Sequence, residues 1–96
     1  MVEYRPNREL VNAYRDMSLN ERAGVLIRHL RIKNSMSGKT LAGFVGVSQQ
    51  QISRYESGEC ELTLRQIQKI AFFLGFSFWQ FVDELYHHNE KGNNKN

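Results

Sequence analysis

Residues 37–58 of the chain, SGKTLAGFVGVSQQQISRYESG, decide its fold. Ser37 is placed to cap a helix over 38–45, because its hydroxyl can accept from an N–H group that the first turn leaves unpaired. Gly46 ends that helix, since glycine takes a positive φ without a Cβ clash and permits a sharp turn. Ser48 then caps a second helix running through Gln49, Ile52, Tyr55 and Glu56. Leu41, Val45, Val47, Ile52 and Tyr55 are expected to point inward where the two helices cross, with Ala42 small enough for a close approach. Outside on the second helix remain Gln49, Gln50, Gln51, Ser53 and Arg54, a row of hydrogen-bonding groups with a single charge.

Such a row suits the major groove of DNA, where base edges present donor and acceptor patterns that Gln and Arg match in pairs. The pattern is that of a helix-turn-helix. With LAGFVGV before it, SQQQISRYESG resembles the XRE family, the Cro and CI repressor type of bacterial regulator, over roughly residues 23–85. Within that family, the run SQQQISRYE at 48–56 is similar to the MrpJ-type regulators encoded in enterobacterial fimbrial operons. The resemblance implies an all-α, five-helix Cro/CI-repressor-like domain, here with an additional short N-terminal helix. It also implies a transcription regulator of fimbrial or motility genes that binds double-stranded DNA.

Gln49 and Gln50 lie at the N-terminal end of the recognition helix, the end that enters the groove in proteins of this type. A glutamine amide pairs with adenine N6 and N7, and each good contact discriminates by roughly 1–3 kcal/mol. Arg54, further along the same face, is placed to reach a guanine or a phosphate, with the base contact preferred. Ser37 and Ser48 are caps, and a phosphate contact is compatible with capping because a helix N-terminus already attracts an anion. Lys33, Lys39, Gln51 and Ser53 are the other candidates for backbone or supporting contacts. Glu56 is badly placed for a groove. In the family an acid here pairs with an arginine near the end of the first helix, and Arg31 occupies the matching position, which implies a structural ion pair. Two departures stand out. Position 38, often a glutamine that touches the backbone, is Gly38, and the usually basic loop after the recognition helix holds Glu59 and Glu61.

Before this stretch, Asn7 is positioned to cap a helix over 8–16 with Leu10, Val11 and Tyr14 as its apolar stripe. Ser18 followed three residues later by Glu21 reads as a capping box, and Val25, Leu26, Leu30 and Ile32 predict a helix to about Lys33. After Gly58, Thr63 caps a helix whose apolar positions are Leu64, Ile67, Ile70, Ala71 and Leu74, ended by Gly75. Ser77 caps a last helix to about His87. The chain therefore divides into an extension over 1–17, the helix-turn-helix domain over 18–88, and a tail over 89–96 expected to be disordered.

Phe78, Phe81, Val82 and Leu85 make one apolar face of the last helix, and Trp79 and Tyr86 widen it beyond what so small a core can cover. Trp79, Val82 and Tyr86 are therefore assigned to a homodimer interface, which a single helix-turn-helix also needs in order to read two successive major grooves.

The charges agree with an anionic partner on this side. The net charge is +3, but residues 19–58 carry a net +4 while 76–88 carry −2. Ninety-six residues provide one compact domain. The single cysteine, Cys60, excludes an intrachain disulfide and suits a reducing cytoplasm. Neither terminus has an apolar run of spanning or signal-peptide length, so a cytoplasmic protein without membrane contact is expected. Cys60, His29, His87 and His88 match no zinc spacing, and no phosphate loop or nucleophile elbow is present, so no metal, cofactor, small-molecule substrate or catalysis is expected. The other class the fold serves is an antitoxin-type interaction module that sequesters a toxin and autoregulates its operon.

Overall fold

The computed structural model describes residues 7–8 and 18–93, with side chains as far as His87. The stripe of Leu10, Val11 and Tyr14 falls outside the described residues. Among the described residues, five helices from Leu19 onward follow in order: α1 (Leu19–Lys33), α2 (Gly38–Val45), α3 (Gln49–Ser57), α4 (Leu64–Phe73) and α5 (Phe78–Asn93). No strand occurs among the described residues, so the domain is all-α.

Each boundary has a local cause. Ser18, Ser37, Ser48 and Thr63 sit in extended conformation and accept from the backbone N–H three residues on. At Thr63 the contact is reciprocal with Gln66, and Ser77 and Gln80 make the same pair of bonds, 2.8 and 3.1 Å. The box expected at Ser18 is reduced to one long bond from Glu21 N, 3.4 Å. Gly46 takes φ 76° and its N–H donates to Ala42 O, which closes α2 and lets the chain turn into α3.

The core is built from Leu26, Ile27 and Leu30 of α1, Leu41, Ala42 and Val45 of α2, Ile52 and Tyr55 of α3, Ile70, Ala71 and Leu74 from α4 and its end, and Phe81 of α5. Two expectations on α1 are corrected: Val25 and Ile32 are exposed. The inward stripe runs instead through Ala23, Leu26, Ile27 and Leu30, and at 100° per residue Val25 and Ile32 fall about 150° and about 170° from its middle. Leu64 is exposed as well, because it is the first residue of α4 and lies a turn beyond the core. Helix α5 continues to Asn93 instead of ending near His87, so residues 89–93, expected in a disordered tail, are helical. No proline interrupts this stretch, and Glu90 and Lys91 are good helix formers.

Candidate nucleic-acid interface

Helix α3 is short, polar outside and apolar inside. Around its axis Gln49, Gln50, Ser53 and Arg54 share one arc of about 140°, and all four are exposed. Ile52 and Tyr55 occupy the opposite side and are buried. Gln51 departs from expectation. It is half-buried, and its Nε2 donates to Cys60 Sγ at 3.1 Å, fastening the loop after α3 to the first turn of the helix. The 3.6-residue period explains this, since Gln51 lies one turn before Tyr55 and shares its inward side.

The N-termini of α2 and α3 lie together. A Cβ at Gly38 would meet Gln49 Cγ at 3.8 Å, an ordinary contact, so the first turn of α2 abuts the first residue of α3. Ser37 Oγ accepts from Thr40 N at 3.0 Å and is also 3.0 Å from Thr40 Oγ1, while Ser48 Oγ accepts from Gln51 N at 3.0 Å. Lys33 and Lys39 are exposed at the end of α1 and in the first turn of α2. Two helix N-termini side by side combine unpaired N–H groups and positive dipole ends, an arrangement suited to phosphate. Thr40 belongs to this edge and escaped the sequence reading, although its place three residues after a capping serine was a usable signal.

Behind the interface, Arg31 and Glu56 form a bidentate pair. Arg31 Nε donates to Glu56 Oε2 at 2.6 Å and Nη2 to Oε1 at 3.1 Å. Their side chains are 12% and 8% exposed. Arg31 Nη1 donates further to the carbonyl of Met36 at 2.9 Å, so one guanidinium ties α1, the loop into α2 and α3 together. Arg28 Nη1 approaches Glu56 Oε1 at 3.7 Å from the solvent side. Hydrogen bonding to Glu56 holds the Arg31 pKa above its ordinary value, while burial opposes this.

Gly24 was missed from sequence. A Cβ there would lie 2.4 Å from the carbonyl oxygen of Tyr55 and 2.5 Å from that of Glu56, so the backbones of α1 and α3 touch at this point. A glycine in the middle of an otherwise regular helix was the available signal. Trp79, Val82 and Tyr86 are exposed on α5. No group of His, Cys, Asp and Glu suited to a metal occurs among the described residues, and no described helix is long and apolar enough to cross a membrane.

The helix-turn-helix family model HTH_3 matches residues 27–78, which is more than half of the chain. The clp gene regulator ClgR from Corynebacterium glutamicum superposes with a TM-score of 0.73 at 22% identity, over 80% of this chain and 82% of that one. An HTH_3 family transcriptional regulator from Vibrio cholerae gives 0.62 at 24% identity, over 76% of this chain and 42% of that one. Hydroxypropylphosphonic acid epoxidase from S. wedmorenis gives 0.60 at 30% identity over 65% of this chain, but only 33% of the epoxidase is covered. The likeness to both regulators is one of fold. No curated protein matches the chain.

Proposed function

Because the chain belongs to the HTH_3 helix-turn-helix family, we propose that it is a sequence-specific DNA-binding transcription regulator that reads a pseudo-palindromic operator as a homodimer. The observation that carries the reading is the outward arc of Gln49, Gln50, Ser53 and Arg54 on a helix whose first turn abuts the N-terminus of α2. Gln49, Gln50 and Arg54 meet base edges, and Ser53 supports them. Ser37, Lys39, Ser48 and Lys33 meet the phosphates that flank the groove and set the register, which carries no sequence information by itself. Arg31 and Glu56 hold the angle at which α3 enters. The similarity of residues 48–56 to MrpJ-type regulators directs the proposal to fimbrial and motility genes.

Genome-wide footprinting of the tagged chain tests this reading. Discrete sites that disappear in a Gln49→Ala/Gln50→Ala variant of unchanged melting temperature support it. Diffuse occupancy, or sites that survive the double substitution, overturn it.

A further inference from the structure

Helix α5 presents a face that nothing described covers. Trp79, Val82, Asp83 and Tyr86 follow at i, i+3, i+4 and i+7, with Trp79 76% and Tyr86 61% exposed. Asp83 stands within this aromatic face, its side chain 73% exposed, and its ion-pair contact is to His87 Nδ1 on the same helix at 3.2 Å. Beside the face runs an open groove of about 230 Å³ between α4 and α5, lined by Leu64, Arg65, Gln68 and Phe78. The Phe78 ring meets the Trp79 ring edge-on at 5.1 Å, so the protruding indole stands at the rim of its own molecule's groove. Arg65 is exposed and makes no ion pair among the described residues.

We propose that this face mates with a second copy of the chain about a two-fold axis, the Trp79 indole of each protomer entering the other's groove and the Asp83 carboxylate of each meeting the other's Arg65. The inference rests on the homodimer reading above and names the surface that makes it. Self-complementarity is the argument for a second copy. The indole and the acid stand on α5, the groove with its base runs beside that helix, and a two-fold contact brings each against its opposite. A carboxylate among aromatic rings resists desolvation unless a cation meets it, and arginine both pairs with carboxylate and stacks on aromatic rings. The aromatic and aliphatic side chains supply apolar surface on the order of 400 Å², about half of the ~800 Å² per partner in a standard interface, with the polar rim supplying the rest.

The test is sedimentation of the full chain over a concentration series, with the emission of its only tryptophan, Trp79, followed in parallel. Wild type is expected to dimerise with a blue shift of that emission. Arg65→Glu and Asp83→Lys, both at exposed sites, are each expected to raise the dimer Kd by about tenfold or more, the effect of setting like charges against each other. The double variant Arg65→Glu/Asp83→Lys is expected to restore dimerisation. If either single variant dimerises as wild type does, this surface is refuted while the homodimer stands. If wild type remains monomeric at every concentration and on DNA, both fail.

Discussion

Gly24 and Tyr55 are in backbone contact: a Cβ on Gly24 would sit 2.4 Å from the Tyr55 carbonyl oxygen. Helix α3 is thus seated directly on the main chain of α1 at this point, with no side chain between them. At an open helix position, Gly→Ala stabilises by up to about 1 kcal/mol. Here the added methyl has to displace backbone, so Gly24→Ala is expected to destabilise by about 1–3 kcal/mol. Gly43 provides the contrast, since a Cβ there meets nothing within 4 Å. Gly43→Ala should raise the melting temperature and Gly24→Ala should lower it, and a thermal melt of each variant checks both signs.

Arg31→Ala is expected to cost about 3 kcal/mol, because it leaves the nearly buried Glu56 carboxylate without its bidentate partner and frees the Met36 carbonyl. The folded-state pKa of Arg31 is raised, so the stabilisation is fully present below its unfolded value and is lost only above the still higher folded one. The gap in stability between wild type and variant should therefore stay constant from about pH 7 to about pH 10, as read by denaturant unfolding at each pH. A gap that closes across this range contradicts the pair.

Gln51→Ala separates support from reading. Gln51 spends its amide on Cys60 and not on the outer arc. The substitution should lower stability by about 0.5–1.5 kcal/mol, the worth of one hydrogen bond, and leave the preferred DNA sequence unchanged. Parallel melts and competition gel shifts with base-substituted duplexes check the two halves separately.

The helix-turn-helix was legible because its signals are local. Ser37, Gly46 and Ser48 each fix a cap or a turn by chemistry that involves only a few neighbouring residues, and they do so in the structure. What depends on a helix's rotation about its axis was less legible. Val25 and Ile32 share the hydrophobicity of Leu26 and Leu30, and only the phase set by packing against α3 and α5 sends them outward. Gln51 looks identical to Gln49 and Gln50 in sequence, yet a 100° step per residue carries it to the inner side. Gly24 gave only the signal of a glycine inside a helix and not the reason for it, because its role is to have no side chain against a segment more than thirty residues away.

Selection of bound duplexes from a random-sequence library tests whether the arc of Gln49, Gln50 and Arg54 reads bases. Base reading by a two-fold dimer predicts a pseudo-palindromic motif whose half-sites are about 10–10.5 base pairs apart, or a multiple of this. It further predicts that Gln49→Ala and Gln50→Ala each relax preference at particular positions within each half-site, by roughly 1–3 kcal/mol per lost contact, while melting as wild type does. An enriched motif that is identical for wild type and both variants, or no enriched motif from the well-folded wild type, would contradict the claim.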